Sequence, residues 1–481
     1  MKKLTVLVGL MMALALALPG GANAASFSEV KKLTASDAQA DDRFGYSTAI
    51  SGDTAIVGAH TEDAEAVGAG AAYIFERFQG GPGNWGETIK LTASDPYFNG
   101  LFGISVAISG DTAIVGAIGN DTGDTDAGVA YILQRNQGGP GNWGEVKKLV
   151  ASDAQADDAF GRSVAISGDT AIVSARQSSF SQGPGVAYVF ERDQGGPDNW
   201  GEVKKLTASD AQISDSFAFS VAISGNTAVV GAPGVNSVGV ETGAAYIFER
   251  DQGGFDNWGE VKKLAASDAQ TSALFGWSVA INEDTAVFGA WGEDAGGTFR
   301  AGAAYIFERD QDGPASWGEV KKLTASDAQI LVQFGWSVAI SGNAAIVGAT
   351  FENAGGSHAG AAYHFERDQG GPDNWGEMKK LTASDAQAND EFGFSVGVSG
   401  DTAIVGARYE DAGGTDAGAA YVFDEHPEKV GGLVVDLDEG PLASAQSSGG
   451  SAGRLAGTIA GVVALAVTLT GAAWYARRRW R

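Results

Sequence analysis

A phenylalanine opens a near-identical phrase at Phe44, Phe102, Phe160, Phe217, Phe275, Phe334 and Phe392, at spacings of 58, 58, 57, 58, 59 and 58 residues. Seven copies with so little drift set the architecture. A unit of this size is one supersecondary element that buries its apolar face only by stacking on its neighbours. Within the first copy, residues 44–51, 54–59, 70–77 and 85–93 read as four strands. Ala55-Ile56-Val57-Gly58-Ala59 is apolar throughout, as suits a strand covered on both faces. The fourth run is mixed, and Glu202-Val203-Lys204-Lys205-Leu206 has the lysines of an exposed edge strand. Polarity therefore rises outward within each unit. Seven four-stranded units predict an all-β, seven-bladed β-propeller. An open solenoid would need atypical capping repeats, and the sequence has none.

The fourth-strand phrase occurs at Glu29, Glu87, Glu145, Glu202, Glu260, Glu319 and Glu377, so its first copy precedes every other strand. The last unit ends at Tyr421-Val422-Phe423 without such a strand. Residues 29–35 are therefore expected to cross the seam and complete the seventh blade. Residues 432–437 (GLVVDL) are the rival for that place.

Phe-Gly-x-Ser-Val-Ala-Ile-Ser-Gly-Asp-Thr-Ala-Ile-Val-Gly-Ala followed by Gly-Ala-Ala-Tyr-Ile-Phe resembles the FG-GAP repeat. That repeat builds the seven-bladed propeller of integrin α chains and of many bacterial surface proteins. The resemblance covers residues 28–424 and implies extracellular adhesion or recognition rather than catalysis. Integrin-type repeats often carry a calcium loop of the Asp-x-Asp-x-Asp-Gly kind between the first two strands. Here that place holds only Ser51-Gly52-Asp53 and its counterparts, including Ser224-Gly225-Asn226 and Asn282-Glu283-Asp284. Calcium takes six to eight oxygens, whereas Ser-Gly followed by Asp or Asn is a tight hairpin signal. The calcium function does not carry over to these turns, which resemble a shorter bacterial subtype.

Successive loops of a four-stranded blade alternate between the two faces of the disc. The turn after the first strand and the loop after the third hardly vary among copies. The loop after the second strand does vary: residues 60–68, 118–128, 176–185, 233–243, 291–302, 350–360 and 408–418. A ring freed from the repeat pattern there has its specific surface on that face. The same loops hold the acids Glu62, Asp63, Glu65, Asp121, Asp124, Asp126, Glu293, Asp294, Glu410, Asp411 and Asp416, and the blade links add Asp41, Asp42, Asp157, Asp158, Asp390 and Glu391. They read as a solvated surface, as a divalent-cation site or as a docking face for a basic partner. Asp121, Asp124 and Asp126, within NDTGDTD, are the best calcium candidates, though they lack the usual ligand spacing. Apart from calcium there, no cofactor is implied.

Trp277, Trp336 and Phe394 fill the variable position after Phe-Gly in three adjacent copies. This puts them at the start of the innermost strand near the central channel, where they either pack or stack on a sugar or peptide ligand. Trp85, Trp143, Trp200, Trp258, Trp317 and Trp375 recur at the outer strand and read as structural. The Lys-Lys pairs read as gatekeepers against edge pairing. His358 and His364, six apart in one copy, read as a coincidence rather than a metal pair. The chain has no nucleophile elbow, phosphate loop or His-Glu-x-x-His motif. Its near-identical blades also offer no spot where a few unlike groups meet.

The ends suggest where the protein resides. Residues 1–24 have a basic start, an apolar run and Ala22-Asn23-Ala24, the pattern of a secretory signal peptide. Residues 25–437 form the propeller region and 438–454 a Gly/Ser/Ala-rich linker. Residues 455–475 carry no charge and are long enough for a membrane helix. The basic tail 476–481 stays in the cytoplasm, so the propeller lies outside the cell membrane. The tail resembles exosortase-type sorting signals but lacks their Pro-Glu-Pro motif. Gly457 and Gly461 form one GxxxG, a means of helix-mediated dimerisation in an otherwise monomeric protein. There is no cysteine, so an exported fold must be held by its core alone. A net charge of −27 excludes nucleic acid as a partner. A surface-anchored binding or adhesion module for an extracellular protein or glycan is the first expectation. The alternatives are an extracellular lyase or hydrolase and a structural coat component.

Overall fold

The computed structural model describes residues 26–426 apart from residues 64, 82, 177–182, 238, 312, 314–315 and 370. The expected signal peptide, the linker, the membrane helix, the basic tail and the rival closing segment 432–437 lie outside the described residues. Among the described residues no helix is long and apolar enough to cross a membrane.

The first strand, β1 (Ser26–Leu33), precedes the first complete blade: β2 (Ser47–Ser51), β3 (Thr54–Ala59), β4 (Ala71–Arg77) and β5 (Trp85–Leu91). These four pair in chain order as an antiparallel sheet, and five further blades repeat the arrangement. The second strand of every blade is buried along its whole length, while the outer strand is only partly covered. This is the outward rise in polarity legible in the sequence.

β1 does not belong to the blade that follows it. It pairs antiparallel with Ala419–His426, the third strand of the last blade, in the register Glu29↔Phe423 and Lys32↔Tyr421. The amino-terminal segment therefore closes the ring. It also carries the outer-strand bulge: the register skips Val30 in β1 as it skips Thr88 in β5.

Seven apolar clusters hold the disc, one between each pair of adjacent blades. The repeat phenylalanine packs on the tyrosine of the third strand; Phe44 and Tyr73 rings lie 5.5 Å apart. The second strand passes so close to the next blade that only glycine fits. A Cβ on Gly58 would sit 2.1 Å from the Gly103 carbonyl oxygen. The third blade departs from this pattern in step: Ser174 stands for that glycine, and Ala218 replaces the glycine of the next blade's Phe-Gly. Ser174 Oγ accepts a hydrogen bond from the Ser163 amide at 2.9 Å within the altered seam.

The channel mouth as candidate functional site

The two faces of the disc use charge differently. On the constant face, Arg77 stacks over Trp85 and pairs with Asp53 at 3.1 Å and with Asp424 of the preceding blade at 2.8 Å. Arg135 likewise reaches back to Glu76 at 2.6 Å. These contacts turn the conserved phrase of each copy into blade-to-blade staples, which explains why those loops hardly vary.

On the variable face, the acids expected at a solvated surface divide: Asp63, Glu65, Asp124, Asp126 and Asp411 are exposed, whereas Glu62, Glu293, Glu410, Asp42, Asp158 and Asp390 are buried. Glu62, Glu293 and Glu410 are all at most 2% exposed, and each pairs with the lysine that precedes the closing leucine of an outer strand: Lys90 at 2.9 Å, Lys322 at 2.7 Å and Lys32 at 2.7 Å. The same lysines bind a link aspartate that also accepts from the blade tyrosine, as Asp37 does from Lys90 and Tyr73 at 2.7 and 2.8 Å. These bonds hold the Asp37 carboxyl below its ordinary range against the opposing effect of burial. The Lys-Lys pairs are thus structural braces as well as edge charges. Asp42 and Asp390 are buried too, and burial pushes both carboxyls up to about 6.

Asp121, Asp124 and Asp126 share one loop but do not converge. Asp121 Oδ1 accepts from the Asp126 amide at 2.8 Å and its Oδ2 accepts from the Tyr97 hydroxyl. Asp124 Oδ1 accepts from the Thr125 amide at 2.8 Å. Among the described residues no three acidic or imidazole side chains gather as a metal site requires.

Trp277, Trp336 and Phe394 do come together, and in a larger array. The residue after Phe-Gly begins the innermost strand, so seven such residues ring the channel mouth. Phe219, Trp277, Trp336, Phe394 and Tyr46 form a continuous half-buried arc with ring centroids 4.4, 5.0, 5.6 and 4.9 Å apart. Successive rings are tilted by 39°, 49°, 44° and 49°. One seventh of a turn is about 51°, so each ring keeps nearly the same attitude to its own blade. A second tier comes from the residue after the second strand. Trp291 packs against Trp277 and Trp336, and His60 against Tyr46 at 4.0 Å. The Arg408 guanidinium lies 3.8 Å from the Phe394 ring centre and pairs with Glu391 at 2.7 Å. Phe219 escapes a sequence search because its copy reads Phe-Ala-Phe. Tyr46 shares the Phe-Gly position of Trp277, while His60, Trp291 and Arg408 are recognisable only once the position after each second strand is compared.

Arc, tiers and latch define a closed propeller whose rigid, repeated body presents one constant and one individual face. The FG-GAP repeat model matches residues 27–75, 85–133, 143–190, 200–248, 258–307, 317–365 and 375–423, and the chain belongs to the FG-GAP repeat family. Each match runs from an outer strand to the third strand of the next blade, so the sequence repeat is offset by one strand from the blade. That offset is why β1 must return to the end of the chain. No curated protein matches the chain.

Proposed function

We propose that the protein is a non-enzymatic binding or adhesion module, displayed outside the cell on a C-terminal membrane helix, whose variable face takes an extracellular protein or glycan. The distribution of exposed apolar side chains carries this reading. Of the ten large apolar residues exposed on the described chain, eight lie in variable-face loops and links: Val67, Tyr97, Phe98, Ile213, Val240, Phe299, Ile330 and Leu331. They sit at four blade junctions of that face. Exposed large apolar side chains concentrated on one face favour an interaction surface there, and the FG-GAP fold supports such a role. The apolar segment 455–475, its terminal arginines and the amino-terminal signal support the placement.

The test is a glycan and extracellular-protein array probed with the full chain and with Trp277→Ala and Trp336→Ala variants. A ligand lost in the variants is expected. Turnover of a polysaccharide would favour the enzymatic alternative, and ordered self-assembly without any ligand would favour a coat component. Protease shaving of intact cells should remove the propeller; a protected propeller contradicts its external placement.

A further inference from the structure

The eleven arginines of the described chain fall into two sets. Six recur at the end of the third strand, as Arg77 and Arg135 do, and pair with carboxylates on the constant face. The other five, Arg43, Arg162, Arg176, Arg300 and Arg408, stand where the repeat prescribes no charge, and all five lie on the variable face around the mouth. Arg162 lies 5.2 Å from the Phe219 ring centre, Arg300 5.5 Å from Trp291 and Arg43 5.5 Å from Tyr409. Burial lowers the basicity of Arg162, Tyr46 opposes this, and Arg176 is close enough to add a smaller lowering.

Gathering cations at one mouth works against their mutual repulsion, and Glu391, which pairs with Arg408 and is felt by Arg43, offsets it only in part. Only Arg408 has a carboxylate partner; among the described residues none lies within ion-pair reach of the other four. Arg43 Nε is buried with no acceptor. His60 is 5% exposed, its Nδ1 has no partner, and burial together with Arg43 and Arg408 brings its imidazole down to about 3. In a chain of net charge −27 these groups leave an anion-shaped deficit at the centre of the ring.

We infer that the channel mouth binds a carboxylated sugar, with the aromatic arc against the apolar face of the pyranose and Arg162, beside Phe219, and Arg408, over Phe394, on its carboxylates. This rests on the binding reading above and deepens it. Guanidinium groups match carboxylates in bidentate geometry, and half-buried rings supply flat stacking faces. A uronate residue carries both complements in one unit. An acidic peptide side chain is aliphatic and leaves the indoles uncovered.

The test is calorimetric titration of the full-length chain in detergent micelles with oligogalacturonate, oligoguluronate and hyaluronate oligomers. The methyl ester of oligogalacturonate and an oligoglutamate peptide serve as comparisons. At least one uronate is expected to bind, at least tenfold tighter than its uncharged ester, and more weakly as salt is raised. Arg162→Gln and Arg408→Gln should each weaken it at least tenfold. Exposed Arg176→Gln, which leaves the packing untouched, should weaken it about threefold. Equal affinity for acid and ester, with both lost in Trp336→Ala, overturns the anionic ligand and leaves the binding reading standing. Binding of oligoglutamate in place of the uronates, or of no uronate while the array yields another ligand, overturns it likewise. Failure of uronates and array together overturns both.

Discussion

Lys32 and Asp385 stand 353 residues apart in the chain and 2.6 Å apart in the fold. The same lysine holds Glu410 at 2.7 Å, and Asp385 accepts from Tyr421 at 2.7 Å. The other blades make the corresponding contact between residues about fifty positions apart, as Lys90 does with Asp37. The ring's closure thus uses the ordinary brace of the repeat, supplied by the first strand of the chain.

The brace has a graded strength that can be measured. Lys322 pairs with Glu293, which is fully buried, whereas at Lys263 the glutamate position is Val235 and only half-exposed Asp210 remains. Lys322→Met leaves a buried carboxylate without its cation and should cost about 3–5 kcal/mol. Lys263→Met should cost less than about 1 kcal/mol. Denaturant titrations of the two variants should separate clearly; equal losses would contradict the role given to Glu293.

Asp390 gives the stability a pH dependence of known sign. Burial, with Glu410 and Asp385 adding to it, raises its carboxyl to about 6 in the fold from 3.8. The folded state therefore holds the proton more tightly. The stabilisation is complete below about pH 4 and is lost as pH rises through 6, by up to about 3 kcal/mol. Asp390→Asn should melt higher than the parent at about pH 7.5, with the gap closing by about pH 4. A gap that widens on acidification would contradict the assignment.

His364 occupies a core slot that Ile74, Ile132, Val189, Ile247, Ile306 and Val422 fill in the other blades. It packs edge-on to Phe27 of β1 at 4.6 Å, and its Nδ1 is buried without a partner. An unsatisfied buried polar atom costs about 1–3 kcal/mol. His364→Ile should therefore raise the melting temperature and slow hydrogen exchange in β1. A lower melting temperature would show that the contact with Glu366, at 3.3 Å, matters more than the unpaired nitrogen.

Calcium should leave the propeller unchanged. The Asp121 oxygens already serve Tyr97 and Asp126, and Asp124 caps its own turn. A calorimetric titration should show no heat above buffer. Heat abolished by Asp124→Ala would contradict this.

Blade number, strand order and closure were legible because they follow from counting: seven phenylalanines, seven outer-strand phrases, and one phrase ahead of all the rest. Trp277, Trp336 and Phe394 were legible because they interrupt a regular pattern. The fate of the acids was not. Glu62 and Asp63 look alike in sequence, yet one is buried on Lys90 and the other caps the Gly68 amide at 2.7 Å. Only the passage of each loop over the neighbouring outer strand distinguishes them. The clustering of arginines was hidden for the same reason. Arg43, Arg162 and Arg408 occupy three different repeat positions, and the ring alone brings them together.

Face assignment, mouth and latch all depend on β1 completing the last blade, and a cross-link tests this directly. Ser28 and Asp424 are directly opposed across the closing pair, at a separation suited to a disulfide, and the chain has no other cysteine to compete. In the Ser28→Cys, Asp424→Cys protein, mild oxidation should join the two positions in each monomer, so that proteolytic cuts in the loops between them leave the ends covalently linked. Free thiols at both positions in the folded, oxidised protein, or cross-links only between molecules, would contradict the closure.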